Sequence, residues 1–161
     1  MSDRVPSSGA SWTPGDTVLS LGGTVLFADS FLHWEQICVS VVRVSPICVD
    51  FWTAWSGRGA VAGAAMAIAC AGLVAWQTAL ALTATGLAPT WMASAVHGMS
   101  EQRRRAISIG FAATIVILGV VKLAFVVADH STYGSYVAAP LLLLLGAGAA
   151  MKGREAKRQR G

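Results

Sequence analysis

Four long apolar stretches constrain this chain more than any other feature, because together they occupy about half of its length. A helix needs about 20 predominantly apolar residues to cross the hydrocarbon core of a bilayer. We predict spanning helices at about residues 17–34, 60–82, 106–128 and 136–151. Charged residues make up 12% of the chain, about half of the roughly 25% that is usual in a soluble domain. The sequence therefore predicts an all-α membrane protein whose membrane domain, residues 16–151, is a four-transmembrane-helix bundle.

The first stretch, residues 17–34, is the weakest of the four, because Asp29 and His33 interrupt it. As a helix it covers about 27 Å, just enough for the bilayer core. An alternative is a segment that inserts only half-way. With only the other three spans, the N-terminus would lie outside the cell without an export element. A complete first span is therefore the favoured interpretation.

The basic residues indicate how the spans are oriented. If four spans leave both termini in the cytoplasm, only Arg43 and Arg58 lie outside. An excess of lysine and arginine is typical of cytoplasmic segments. The pattern therefore predicts a multi-pass protein of the cell membrane with both termini cytoplasmic, and it accounts for the net charge of +4 without a nucleic-acid partner. The basic residues on the cytoplasmic side are Arg4, Arg103, Arg104, Arg105, Lys152, Arg154, Lys157, Arg158 and Arg160.

The segments outside the spans have simple predicted roles. Residues 1–15 are rich in Pro, Gly and Ser, which indicates a flexible cytoplasmic N-terminus. Pro89 helps to end the second span, and residues 90–99 are predicted to form a short interfacial helix with Trp91 at headgroup level. Residues 152–161, KGREAKRQRG, are predicted to form a basic cytoplasmic tail that is attracted to anionic lipid.

The start of the second span carries small residues at four-residue spacing, namely Gly59, Gly63, Ala67 and Ala71. Such a ridge lets another helix approach closely. Packing within the bundle is the favoured interpretation, and a homodimer face is the alternative. Cys70 in the same span is interpreted as a small packing residue.

The segment between the first two spans, ICVSVVRVSPICVDFW, is rich in β-branched residues and predicts a short β-like extracytoplasmic loop. Cys38 and Cys48 lie near its ends. Thiols outside the cytoplasm tend to oxidise, so we predict a disulfide between them, with two free cysteines as the alternative. A turn at Ser45-Pro46 would not place the two cysteines opposite each other. The apex therefore lies nearer Arg43, or the loop is irregular.

Two charged residues, Asp29 and Lys122, lie inside predicted spans. Counted from the cytoplasmic ends, they stand at heights of roughly 18 and 24 Å. We therefore predict a buried or half-buried ion pair that joins the first and third spans, because a lone charge at this depth is costly. One alternative is a proton or ion relay in which His33 lies one turn from Asp29. In another, Lys122 extends to the outer surface near Asp129.

No motif in the chain indicates an enzyme or a cofactor. The sequence contains no P-loop, GxGxxG, HExxH or nucleophile motif. His97 and His130 have no Cys, Asp or Glu at ligand spacing, so we expect no metal site and no catalytic residue. The predicted partners are the lipid bilayer and either another membrane protein or further copies of this chain.

Several short motifs carry a resemblance. These are the pattern G-x-x-LF-x-x-x-FL-x-W between Gly22 and Trp34, the AWSGRG before the second span, and VVKLAF in the third. The last motif is the segment at residues 133–155, which reads YGSYVAAPLLLLLGAGAAMKGRE. Together they resemble a broad group of uncharacterised actinobacterial four-span membrane proteins, in which the first helix ends in an FLPW-like motif. His33 stands where that group usually has proline. The resemblance covers most of residues 15–155 and implies a cell-membrane location, without implying an activity.

These observations favour a structural or accessory component of the cell membrane that binds a partner through the external loop. The alternative is a small transporter or channel that uses Asp29, His33 and Lys122 as an intramembrane polar path.

Overall fold

The computed structural model describes residues 12–39, 47–127 and 133–158, which are mostly helical. Predictions for residues 1–11, Arg43, Ser45-Pro46, Asp129, His130 and Arg160 lie outside the described residues, as do the side chains of Cys48, Lys157 and Arg158. The elements follow in the order α1 (Pro14–Asp29), β1 (His33–Val39), β2 (Ile47–Thr53), α2 (Ala60–Ala84), α3 (Thr90–His97), α4 (Glu101–Val127) and α5 (Tyr133–Arg158).

Three of the helices, α2, α4 and α5, are long and apolar enough to cross a membrane. They contain 25, 27 and 26 residues. At about 1.5 Å per residue each exceeds the roughly 30 Å of a bilayer core. They include most of the stretches predicted at 60–82, 106–128 and 136–151. By length and composition, the chain has the helices of a membrane protein.

The ends of these helices differ from the predicted ends. α4 begins at Glu101, so Arg103–Arg105 lie in its first turns rather than before it. The hydroxyl of Ser100 accepts a hydrogen bond from the Arg103 N–H at 3.3 Å, which helps to start the helix there. The short helix predicted from residue 90 is confirmed as α3, which ends at His97.

α5 is longer than predicted at both ends. It begins at Tyr133, which places Pro140 inside the helix instead of near its first turn. It also continues to Arg158, through most of the segment that was predicted to be a separate tail. Lys, Arg, Glu and Ala are all good helix formers, so this polar segment can extend the helix without being apolar.

α1 is shorter than the first predicted span. It starts at a capping box in which Thr13 and Asp16 each hydrogen-bond the other's backbone N–H. It ends at Asp29, and the Ser30 hydroxyl donates to the carbonyl of Phe27 at 2.6 Å. Its 16 residues cover about 24 Å. The prediction that the helix continues to Trp34 is wrong, because the chain has already turned into β1.

β1 and β2 form a two-stranded antiparallel sheet. Its register places Cys38 opposite Cys48 and is symmetric about position 43, with an irregularity between His33 and Gln36. The prediction of a β-like segment after the first span is therefore correct for the described residues.

The four longest helices are neighbours in a cycle. α1 packs between α2 and α5, and α4 packs between the same two helices. Their inward faces form one apolar core, in which Cys70 is a buried packing residue, as predicted. Core members include Leu19, Leu26, Met66, Leu73, Ala112, Ile115, Ala138, Leu142 and Leu145.

The small residues at the start of α2 serve two kinds of contact, one with the preceding loop and one with α4, the latter as predicted for packing within the group of helices. A Cβ at Gly63 would lie 1.7 Å from the backbone oxygen of Ala54, in the loop just before α2. A Cβ at Gly59 would lie 2.9 Å from the ring of Phe125 in α4. Gly63 therefore allows the preceding loop, rather than another helix, to approach α2.

Candidate functional site

The site with the densest polar contacts surrounds Lys122, near the end of α4. The lysine side chain is fully buried, at 0% exposure. Its Nζ donates to Glu35 Oε1 at 2.5 Å, to the carbonyl of Ser56 at 3.0 Å and to the carbonyl of Arg58 at 2.5 Å. An ammonium group has three donors, so every donor of Lys122 is used. We call Glu35, the loop from Ser56 to Gly59, and Lys122 the lysine cradle.

The glycines of the AWSGRG motif give the cradle its shape. Gly57 and Gly59 have φ values of 70° and 68°, in the left-handed region that other residues seldom adopt. A Cβ at Gly57 would lie only 2.5 Å from Glu35 Oε2. The N–H of Arg58 donates to the same oxygen at 3.3 Å. The loop therefore closes around both charges of the pair, with backbone carbonyls toward Lys122 and a backbone N–H toward Glu35.

Aromatic residues join β1 to the helices beside the cradle. Trp34 is fully buried, and its indole N–H donates to the carbonyl of Asp29 at 3.1 Å. A Cβ at Gly134 would lie 2.7 Å from the Trp34 ring, so the start of α5 lies directly against β1. The indole N–H of Trp55 donates to the Ser30 hydroxyl at 3.0 Å. These contacts hold the hairpin base between α1, α5 and the cradle loop.

The predicted ion pair between Asp29 and Lys122 is wrong, because Lys122 pairs with Glu35 instead. The prediction measured height along a first helix that continued to Trp34. Since α1 ends at Asp29, β1 places Glu35 at the level of Lys122. Glu35 was missed, although it is the carboxylate immediately after Trp34.

Asp29 itself is buried, at 3% exposure. Within the described part of the chain, neither of its carboxylate oxygens has a hydrogen-bond partner. His33 lies elsewhere, where its Nδ1 is 3.5 Å from the exposed hydroxyl of Tyr133. The structure therefore does not bring Asp29, His33 and Lys122 together as one polar group.

A second buried ion pair lies at the other end of the helices. Lys152 Nζ donates to Asp16 Oδ2 at 2.6 Å, and both side chains are less than a tenth exposed. Lys152 was predicted only as a topology determinant. Asp16 also belongs to the capping box of α1, so the pair joins the start of α1 to the late part of α5.

The arginine triplet divides into different environments. Arg103 is exposed, whereas a guanidinium nitrogen of Arg104 donates to the carbonyl of Val96 at 3.4 Å and so joins α4 to α3. Arg105 forms an ion pair with Glu101 one turn earlier. Arg154, also predicted as a topology determinant, is exposed.

Apolar and small residues separate the polar groups at the two ends. On the buried face of α4, Ala112, Ile115 and Gly119 lie between Ser108 and Lys122, which are about 21 Å apart along the helix. Ser108 accepts hydrogen bonds from the side chains of Trp76 and Gln77 at 3.0 and 3.4 Å. Leu73 and Leu145 help to fill the core.

Within the described ranges, no group of three or more His, Cys, Asp or Glu residues is placed to hold a metal ion. The chain matches no protein-family profile, no curated protein and no solved structure.

Proposed function

We propose that this chain is a multi-pass protein of the cell membrane, with four spans and both termini in the cytoplasm. Its role is that of an accessory component that presents the β1–β2 hairpin to a membrane-protein partner outside the cytoplasm. Three apolar helices and the concentration of basic residues on one side of the predicted topology support this proposal. The resemblance to actinobacterial four-span proteins is consistent with it.

α1 serves as the fourth span in this proposal. Its 16 residues give about 24 Å, less than the roughly 30 Å of a bilayer core. Ion pairs at both ends help to hold α1 in place. At its start, Asp16 pairs with Lys152 of α5. Just after its end, Glu35 pairs with Lys122 of α4. A short span that is attached to its neighbours at both ends does not depend on its own length alone.

The lysine cradle is the observation that carries the accessory function. An isolated two-stranded hairpin is only marginally stable in water. Here the buried Glu35–Lys122 pair and the carbonyl contacts from the cradle loop attach the hairpin base to α4. An anchored hairpin is preorganised for binding, because less conformational freedom is lost when a partner docks.

A disulfide between Cys38 and Cys48 is part of this proposal. The strand register that pairs the two positions supports it, and so does the expected extracytoplasmic location. Alkylation before and after reduction tests it by mass: two alkyl groups added at these positions without reduction would exclude the bond.

The alternative function, a transporter or channel, has less support than the accessory function. Its three proposed polar residues lie in separate surroundings, and all three donors of Lys122 are occupied.

Site-specific photo-crosslinking in cells tests the accessory function. A photoreactive residue at Gln36, half-buried on β1, is compared with one at Ile68, which is exposed on α2. We expect an adduct with one defined protein from Gln36 and none from Ile68. Lys122→Met should reduce the Gln36 adduct several-fold without removing the protein from the membrane.

Equal labelling from both positions would contradict presentation by the hairpin. So would a Gln36 adduct that survives Lys122→Met unchanged, because the partner would then not require an anchored hairpin.

A further inference from the structure

The carboxyl group of Asp29 is a feature that the accessory function does not use. Asp29 ends α1 and is 3% exposed. Within the described residues, both of its carboxylate oxygens are buried without a hydrogen-bond partner. The two other buried carboxylates that the structure describes in ion pairs are Asp16, with Lys152, and Glu35, with Lys122.

The elements packed around α1 offer few charges to balance Asp29. α2 contains no charged residue, and neither does α5 from Tyr133 to Met151. From Ala106 to Val127, α4 contributes only Lys122, whose donors all serve the cradle.

Among the residues that the structure describes, the remaining charged or titratable groups at this end belong to the hairpin, to the loop before α2 and to the start of α5. The Nδ1 of His33 is directed to the Tyr133 hydroxyl. Glu35 is itself an anion, and the side chain of Arg58 belongs to an exposed residue.

A carboxylate that is buried away from water and cations is strongly disfavoured relative to the neutral acid. We propose that Asp29 is a proton-binding site that is occupied as a neutral carboxylic acid, in contrast to Asp16 and Glu35, which are each paired with a lysine. The proposal rests on burial and on the absence of partners among the described residues. It does not depend on the accessory function.

The position of this proton gives it a structural consequence. The backbone carbonyl of Asp29 accepts the indole N–H of Trp34, which holds β1 against the end of α1. The neutral acid leaves this apolar junction intact. Loss of the proton as the pH rises would place a charge beside Trp34 and draw water into the junction. The junction is therefore stable while the proton is bound and loosens at higher pH.

A hydrophobic carbodiimide tests the proposal, because it reacts with the protonated carboxyl group. The carboxyl oxygen adds to the central carbon of the carbodiimide, and the acid proton moves to one of its nitrogens. The resulting O-acylisourea rearranges to an N-acylurea, so one whole reagent molecule is retained and nothing leaves. Peptide mass spectrometry of the full-length protein in mild detergent then locates the adduct.

We expect the adduct at Asp29 and little at Asp16 or Glu35, which serve as internal controls. Above the pH at which Asp29 is half protonated, each further pH unit should reduce its labelling about tenfold. Asp29→Asn should remove the adduct and leave the thermal midpoint nearly unchanged, because the amide replaces a neutral acid of similar shape.

Equal labelling of the three carboxyl groups, or no labelling of Asp29 at any pH, would overturn the proposal. The labelling pattern of the unsubstituted protein decides this even if Asp29→Asn fails to fold. Photo-crosslinking from Gln36 does not bear on it, so the two proposals can fail separately.

Discussion

Lys122 shows how a single residue can look misplaced in a sequence and still be fully satisfied in the fold. A lysine inside a membrane helix costs up to about 2.5–3.5 kcal/mol on insertion scales, the value for the helix centre. The cradle offsets this cost with one carboxylate and two backbone carbonyls, all within 3.0 Å of Nζ. Removing one partner of such a pair strongly destabilises the fold, because the charge of the other partner stays buried without compensation.

Substitutions of the pair should therefore be strongly non-additive. Lys122→Met and Glu35→Met are each expected to destabilise the protein by roughly 3–5 kcal/mol, because each leaves one buried charge uncompensated. The double variant should cost less than the sum of the two, since no uncompensated charge remains. Unfolding in mixed detergent micelles, followed by circular dichroism, measures the three changes in free energy of unfolding.

Arg103→Met is the matched control for this cycle, because Arg103 is an exposed basic residue on the same helix. It should change the free energy of unfolding by less than about 0.5 kcal/mol. If the losses at Lys122 and Glu35 simply add, the two side chains do not act as a pair.

At the scale of elements, the start of α2 packs against the preceding loop as well as against α4. A Cβ added at Gly63 would lie only 1.7 Å from the backbone oxygen of Ala54. The same loop continues into the cradle, so its distance from α2 also sets the position of the Ser56 and Arg58 carbonyls. A glycine spacing that resembled a helix-packing motif therefore serves the cradle.

Gly63→Ala should displace this loop and weaken the cradle. We expect a loss of about 1–3 kcal/mol in the free energy of unfolding, in the range of overpacked positions. Gly146→Ala in α5 is the control, because beyond its chain neighbours and the nearby backbone of its own helix no atom lies within 4 Å of its added Cβ. That control should be neutral or slightly stabilising, since alanine favours helices more than glycine does. Equal stability of the two variants in thermal melts would contradict the close contact at Gly63.

At the scale of the whole molecule, two buried ion pairs hold opposite ends of the helices. Glu35 and Lys122 are 87 positions apart in the chain, and Asp16 and Lys152 are 136 positions apart. α1 is the shortest of the four long helices. Each pair attaches α1, or the chain just after it, to a longer helix. This arrangement allows a span with little hydrophobic length to remain within the group of four helices.

The proposed topology can be tested with reporter fusions. A reporter enzyme that is active only outside the cytoplasm should be active when fused after Val44 and inactive when fused after Gly161. A cytoplasmic reporter at the same two positions is the control and should give the reverse pattern. Activity of the external reporter at both positions would show that the number of crossings between them is even, and would contradict the four-span proposal.

The sequence by itself determined the features that depend on local composition. Long apolar runs predicted α2, α4 and α5, β-branched residues predicted the strands, and residues after Pro89 predicted α3. These predictions succeed because helix formation and membrane compatibility depend mainly on residues close in the chain. They fail at helix ends, where α5 continues through residues that are polar but helix-forming.

Only the tertiary structure decided which charges meet. Lys122 and Lys152 pair with carboxylates distant in sequence, and neither partner was predicted. The reason is geometric, because the early end of α1 and the turn into β1 shift Glu35 rather than Asp29 to the level of Lys122. Periodicity along one helix cannot report such a shift, since it arises from how the loop, strand and helices pack together.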